Sequence, residues 1–545
     1  MKLVFTQTAW LFTFLSRNHH QRNGLGGVIT TPLETQTEHD GYCTFRHDAT
    51  TAMRASLKET IENDEDLIKN RGPEENDTLL DAVIVGAGWA GLAAANLLVK
   101  RGVENIRILE AKGHIGGRAY TETHEWAGEN IPIDMGAMWL HGASKNILNK
   151  LALKYNVKTP LSTYDTMIFK SDGTSYDHDE VEEYREALFE EGFFLAQADQ
   201  QKKTDYDEPL QKSCDAFLDQ LGSQEDKKLT KWFLRSCIEM EYSGLLADHS
   251  LWWWNDDYDL GGSVDTDDYF VPQGHNSLLH PFASWLQEND KIQLNAPVTC
   301  IDYQDKNVTH VHYVCEDDKN SLICRAKKVI VTVPLGVLKT DRISFLPKLP
   351  RRTQKSIRRL GMGKMNKVFM IWSKEDVFWP HDTEVLGDIE ERDSNFIFCN
   401  PRQHNGDLPL LFAFFQGSLA DAAEEDFAHS DPEEYENRIR DLAMESLRCM
   451  FGSDIRQPKK VIVTKWNVDK YTMGAYSFNK VKMGKLDRYF LSQPIGKDQL
   501  FFAGEATHRK YFATTAGAFM TGRTAARNVL KSLNQEGKQE GKPAS

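Results

Sequence analysis

Residues 82–110, AVIVGAGWAGLAAANLLVKRGVENIRILE, constrain this chain more than any other stretch. A short apolar strand runs into Gly86, Gly88 and Gly91, then a helical stretch rich in alanine and leucine, then a second apolar strand that ends in Glu110. Strand, glycine turn, helix and strand in that order make a βαβ unit with a parallel pair of strands. The GxGxxG spacing gives each glycine a task. Gly86 makes the tight turn, Gly88 lets backbone approach a pyrophosphate, and Gly91 lets helix pack on strand. The helix N-terminus offers N–H groups and partial positive charge to phosphates. Lys100 and Arg101 suit the opposite end, where Gly102 can adopt the left-handed turn that stops the helix. Glu110, nineteen positions past Gly91, stands where an acid accepts hydrogen bonds from ribose hydroxyls. The segment predicts an α/β, Rossmann-like dinucleotide-binding domain.

Two further segments bear on the nucleotide. GHIGGR, residues 113–118, places Arg118 just after the acidic strand end, where a guanidinium can pair with the same phosphates. LFFAGEATHRKYFATTAGAFMTGRTAARNVL, residues 500–530, reads as a strand, a turn at Gly504 and Glu505, a loop, and a helix that starts from small residues near Thr514 and Thr515. That helix start could meet a flavin ring's carbonyl edge, and Glu505 could hold the sugar-alcohol chain.

Together with VIVGAGWAGL, EAKGHIGGR and FFAGEAT, the stretches DMGAMWLHG (134–142), VIVTVPLGVL (329–338), GMGKMNKVFM (361–370) and KWNVDKYTMGAYS (465–477) resemble the flavin-dependent amine oxidases, and within them the polyamine oxidases. The resemblance covers roughly residues 80 to 530. It implies non-covalent FAD and two discontinuous domains. Residues 78–160, 265–350 and 495–535 would hold the cofactor. Residues 161–264 and 351–494 would form an α+β substrate domain with helices over a mixed or antiparallel sheet. It also implies cofactor contacts at Gly136, Ala137, Met138 and Trp139, and a backbone contact to the adenine at Val298.

Lys367 lies in the strand-like run NKVFMIW, where the family carries a lysine that holds a water beside the flavin N5. A lysine in a buried strand is costly without a partner or a shifted pKa; Lys364 is the fallback. Trp466 and Tyr476 flank a turn at Gly474, and aromatic faces attract a cationic amine or seat a neutral one. Tyr476 matches a family position facing the flavin, Trp466 either lines the cofactor and substrate or packs the core, and the opposite wall falls on Thr514. Glu241, with Glu239 as the alternative, matches a substrate-tunnel acid. The acid-rich stretch WWWNDDYDLGGSVDTDDYF is either a solvated loop or a funnel mouth that concentrates cations. His141, in WLHG, matches a histidine of the back-converting polyamine oxidases, where a neutral imidazole could hydrogen-bond a substrate nitrogen without forcing it to stay protonated.

The resemblance therefore implies oxidation of polyamines such as spermine or spermidine by hydride transfer to flavin, imine hydrolysis and reoxidation by O2, giving an aldehyde, a shorter amine and hydrogen peroxide. An N-methyl-lysine demethylase, a monoamine oxidase, an L-amino-acid oxidase using Arg352 or Arg402, and an idle flavoprotein scaffold are the alternatives.

Composition excludes rather than identifies. A net charge of −15 argues against a nucleic-acid partner, which needs clustered Lys and Arg, and mildly favours a cationic ligand. Eight cysteines show no metal spacing, so no metal is expected. No apolar run is long enough to cross a membrane. Residues 1–77 read as a targeting or disordered extension whose apolar start, 3–15, is a poor secretion signal, and 536–545 as a disordered tail. A soluble monomer or weak dimer, cytoplasmic or organellar, is expected.

Overall fold

The computed structural model describes residues 78–142, 146–256, 268–315, 320–390, 396–402, 404–406, 408–417, 419–420 and 431–540. The N-terminal extension and Asp257, Asp259, Asp265 and Asp267 of the acidic stretch lie outside the described residues.

The first of two large sheets has eight strands, ordered Ser344–Leu346, Val298–Asp302, Thr309–Cys315, Asn320–Val331, Leu80–Val85, Ile106–Leu109 and Ile292–Gln293, with Leu500–Phe502 also paired to Asn320–Val331. Leu80–Val85 runs parallel to both Ile106–Leu109 and Asn320–Val331, and Leu500–Phe502 joins in parallel. Its apolar run is continuous because both faces are covered. Ala82 and Ile84 pack in one core cluster, Val83 and Val85 in another. Each fully buried Val or Ile contributes about 1.5–3 kcal/mol.

Register then decides where a ligand can lie. Leu109, Val85, Val331 and Phe502 stand abreast at the carboxyl ends of four parallel strands. Immediately beyond them come Glu110, Gly86, Thr332 and the Ala503–Gly504 turn. Crevices at such strand ends are the ligand sites of parallel α/β sheets.

The helix Trp89–Lys100 buries nine residues, five of them alanine or glycine, so that other backbone can come close. A methyl group on Gly91 would stand 1.9 Å from the Gly86 carbonyl oxygen, and one on Gly522 would stand 2.0 Å from that of Ala90. The first contact locks helix to glycine turn, and the second lets Thr515–Glu540 cross Trp89–Lys100. That terminal helix runs through Glu540, so the expectation of a disordered tail from 536 onward is corrected over 536–540. Glu536 reaches the buried Lys328 at 2.5 Å, which gives the last turns an anchor.

The second sheet has six strands, ordered Lys460–Val463, Met365–Ile371, Leu410–Gln416, Ile397–Cys399, Val385–Asp388 and Thr166–Phe169. All its pairings are antiparallel except the last, so the sheet is mixed. Every residue of Met365–Ile371 is buried. Alternation divides them: Val368 and Met370 pack with the helix Pro432–Phe451, while Phe369 and Ile371 face Ile131 and Ile133 of the hairpin Thr121–Trp126/Glu129–Asp134. Lys367 is on the hairpin side by the same period of two.

Candidate active site

The glycine turn fits a dinucleotide on its own geometry. Gly88 has φ −78°, which any residue adopts, and a methyl group there would meet only the Gly116 carbonyl oxygen, at 3.7 Å. A methyl group on Gly117 would find only Gly88 Cα at 3.8 Å, and one on Gly504 only the Thr332 carbonyl oxygen at 3.7 Å. These backbones border space that side chains would fill, unlike the tightly packed Gly91. No side chain caps the helix that starts at Trp89, which leaves its N-terminus to phosphate oxygens.

Glu110 is buried and braces this turn. Its carboxylate accepts hydrogen bonds from the Ala87 N–H at 2.6 Å and the Lys112 N–H at 2.9 Å. A carboxylate has about four acceptor positions, so capacity for ribose hydroxyls remains. Burial raises its pKa against the pull of those donors. The Glu110 backbone also exchanges hydrogen bonds with Gln293 and Ala296, which brings the chain to Val298 beside the acid.

Glu505 is buried and densely hydrogen-bonded. Its carboxylate accepts from Arg118 at 3.0 Å, from the Ser477 hydroxyl at 2.6 Å and N–H at 3.3 Å, and from the Ala513 N–H at 2.9 Å. Burial alone would raise its pKa, but Arg118 and the other donors hold it below the usual carboxylate value. Through this contact Glu505 aligns Arg118. The Thr514 hydroxyl donates to the Tyr511 carbonyl at 2.9 Å and accepts from the Gly517 N–H at 2.9 Å. That is an N-cap, the role the geometry gives it, with Thr515 opening the helix.

From Arg118 the chain leads to Lys367. The Arg118 carbonyl accepts the Ala137 N–H at 3.0 Å, and a methyl group on Gly136 would lie 1.9 Å from the same carbonyl oxygen. Lys367, 5% exposed, donates to the Gly136 carbonyl at 2.5 Å and weakly to that of Asp134 at 3.4 Å. Phe369, Phe412 and Phe414 surround the ammonium, with ring centroids 5.7, 5.6 and 5.3 Å away. Burial lowers Lys367 to about 7 while Asp134 pulls upward. Burial likewise raises Asp134, which accepts from the Thr121 hydroxyl at 2.6 Å and the His275 N–H at 2.9 Å. Two of the three lysine donors are engaged, leaving one for a water or an amine. Lys364, the fallback, is exposed.

Trp466 and Tyr476 stand on either side of this line. Trp466 donates its ring N–H to the Met135 carbonyl at 3.2 Å and is met by the Lys112 ammonium 5.5 Å from its ring centre. Tyr476 donates its hydroxyl to the Met240 carbonyl at 2.8 Å, next to Glu241. Glu241 closes Arg235–Met240, a wide π-helical turn of the kind that recurs at functional sites. Its side chain is open to solvent but crowded by protein, and partial loss of hydration raises its pKa while His141 opposes that rise. Glu239 instead accepts the Leu246 N–H at 2.8 Å, a structural use.

On the far side, Trp139 donates to the Ser162 hydroxyl at 2.9 Å and packs against Phe270, while Met138 is buried in the same cluster. His141 follows, its Nδ1 3.0 Å from Asp268. Of the two candidate arginines for a substrate carboxylate, Arg352 is exposed and lies over the Phe490 ring at 4.4 Å, and Arg402 reaches the Trp379 carbonyl at 3.5 Å.

Sequence reasoning missed Asp134, His275 and the role of Asp268. Asp134 ends a hairpin strand just before a glycine, a signal that was present in DMGAMW. His275 is fully buried with no partner for either ring nitrogen among the described residues, and burial lowers it to about 3. No group of residues among those described could hold a metal ion, and no described helix is long and apolar enough to cross a membrane.

The family model of the flavin containing amine oxidoreductases matches residues 89–530. The rice protein named lysine-specific histone demethylase 1 homolog 3 (Oryza sativa subsp. indica) is 31% identical over 483 residues, 86% of this chain and 56% of its own length. Protein FLOWERING LOCUS D of Arabidopsis thaliana is 32% identical over 486 residues, 86% of this chain and 58% of its own. The chain thus spans little more than half the length of these curated relatives. A solved structure of putrescine oxidase bound to putrescine has the same fold, with a TM-score of 0.64 at 22% identity, covering 83% of this chain and 99% of that one. With strand ends, glycine turn and buried lysine in one arrangement and the family model spanning them, the chain belongs to the flavin containing amine oxidoreductases, and its cofactor is FAD.

Proposed function

We propose that this amine oxidase acts on secondary amines of polyamines of the spermine or spermidine type. The observation that carries the reading is Glu241: a solvent-open carboxylate within electrostatic reach of Tyr476 and His141, placed to hold an ammonium while a second nitrogen is oxidised. Putrescine oxidase, whose fold this chain shares, is a protein solved with a diamine bound.

Bound FAD supplies the two-electron acceptor for the carbon beside the amine nitrogen. The protein's own groups do the rest. The free N–H groups after Gly88 hold the pyrophosphate, Glu110 the ribose, and Arg118 is held in place by Glu505. Lys367 keeps one donor for a water or amine beside the reacting centre, and its lowered pKa makes proton exchange near neutral pH easy. Tyr476 and Trp466 provide an apolar seat for an amine that must react unprotonated. Water adds to the resulting imine, giving an aldehyde and a shorter amine, and O2 takes the two electrons as hydrogen peroxide. In this reading residues 78–160, 265–350 and 495–535 serve the cofactor, and 161–264 and 351–494 the amine.

A second reading, N-methyl-lysine demethylation, is favoured by the identity to the two plant relatives, one of which is named a histone demethylase. Chain length in a Glu241→Gln variant separates the two. Spermine and spermidine should bind more weakly by about 1–3 kcal/mol, the range for a hydrogen bond to a charged group, with little change for an amine lacking the distal nitrogen. Equal loss for long and short amines would make Glu241 structural and return the choice to methyl-lysine or monoamines.

A further inference from the structure

Next to the amine site lies a hydrogen-bonded group that the proposed chemistry has not used. His141 faces Asp268 Oδ2 through Nδ1 at 3.0 Å, and the Tyr164 hydroxyl donates to the same oxygen at 2.8 Å. Asp268 is held from behind, since its carbonyl accepts the Ser162 N–H at 2.9 Å. Tyr164 is held too: its backbone has φ 54°, a conformation most residues avoid, and its N–H donates to Glu384 at 2.6 Å. The other Glu384 oxygen faces His404. The pairing is anchored at both ends.

We propose that Asp268 is a positioning residue for amine oxidation: it accepts a hydrogen bond from His141 Nδ1–H and so fixes the ring with Nε2 as the nitrogen left for the amine. An ionised carboxylate only accepts, so Nδ1 must carry hydrogen. Nε2 then has no hydrogen bond among the described residues, and the His141 side chain is 44% exposed. The charged and titratable groups facing His141 are Asp268, Glu241, Tyr164 and His275. Burial opposes a charged imidazole, but Asp268 and then Glu241 outweigh it and lift His141 to about 9. In return His141 keeps Asp268 below the usual carboxylate value against its own burial.

The chemical consequence concerns the substrate's proton. An imidazolium beside the reacting nitrogen disfavours an ammonium there by like-charge repulsion. The amine therefore gives its proton to water and arrives with its lone pair free, while a distal ammonium is drawn to Glu241. Asp268 supports this as the opposite charge 3.0 Å from Nδ1, which favours the charged ring. The inference rests on amine oxidation alone and holds whichever amine is the substrate.

The test is the pH profile of anaerobic flavin reduction in the holoenzyme, measured with whichever amine reduces the flavin fastest. His141→Gln identifies the ionisation of His141 by removing it. Asp268→Asn keeps an acceptor for Nδ1 but not the charge, and should move that ionisation down by at least about one pH unit, the scale of a lost opposite charge. Asp268→Glu should restore the native profile, and the double variant Asp268→Asn with His141→Gln should behave as His141→Gln alone. An Asp268→Asn profile that matches the native one would overturn the proposal, as would a further loss when Asp268→Asn is added to His141→Gln. If Asp268→Asn does not fold, the Asp268→Glu profile decides: native-like supports the proposal, and a shifted ionisation contradicts it.

Discussion

Lys367 Nζ lies 2.5 Å from the carbonyl oxygen of Gly136, although 231 positions separate the two residues in sequence. The contact ties the strand Met365–Ile371 of the second sheet to the segment that follows the hairpin Thr121–Trp126/Glu129–Asp134. Gly136 must be glycine for the approach, because a side chain there would strike the Arg118 backbone. One backbone segment therefore touches both the Arg118 backbone and Lys367.

Lys367→Met should slow flavin reduction or reoxidation by at least about tenfold, the scale of a lost proton-transfer group, with FAD still bound. Lys364→Met should change little, since Lys364 is exposed. Stopped-flow absorbance decides it: native rates in Lys367→Met together with a large loss in Lys364→Met would assign the role to the other lysine.

Gly88→Val should abolish FAD binding without unfolding the protein. The glycine has an ordinary φ, and its neighbour at 3.7 Å leaves room for a side chain that then fills the nucleotide's space. Gly91→Val should instead unfold the chain, because the added group meets the Gly86 carbonyl oxygen at 1.9 Å. Circular dichroism and bound-flavin absorbance on both variants separate these outcomes; a yellow, fully loaded Gly88→Val protein would contradict the nucleotide assignment.

His249 predicts an acid weakness. It is fully buried with its ring nitrogen 3.0 Å from the Gly244 carbonyl oxygen, and burial lowers it from 6.5 to about 4. Between those values the unfolded chain binds a proton that the folded one refuses, so stability falls as pH drops from about 6.5 to about 4. The loss from this residue is about 3 kcal/mol. Melting temperatures between pH 8 and 4 should decline less steeply in His249→Gln than in the native protein, and identical slopes would contradict the assignment.

What sequence revealed and what it hid follow one physical division. The glycine turn was legible because Gly86, Gly88, Gly91 and Glu110 lie within one βαβ unit, where spacing determines geometry. Lys367 was legible only through resemblance, since its buried strand looks like any apolar strand until the carbonyls of Asp134 and Gly136 meet it. The surroundings of Glu505 were hidden for the same reason: the donors to its carboxylate come from Arg118, Ser477 and Ala513, and only the last is near in sequence. Thr514 carried a local capping signal, and its hydroxyl accepts the Gly517 N–H as an N-cap does. The last turns of the terminal helix depend on Lys328, a partner no reading of the tail alone could supply.

Anaerobic mixing of the FAD-loaded protein with spermine or spermidine tests the central claim most directly, with a methyl-lysine peptide and a monoamine alongside. Oxidation of a polyamine requires that the flavin absorbance near 450 nm bleach rapidly with the polyamines, little with the other two, and return when O2 is admitted. Bleaching by the methyl-lysine peptide with none by either polyamine would contradict the account and establish the demethylase reading instead.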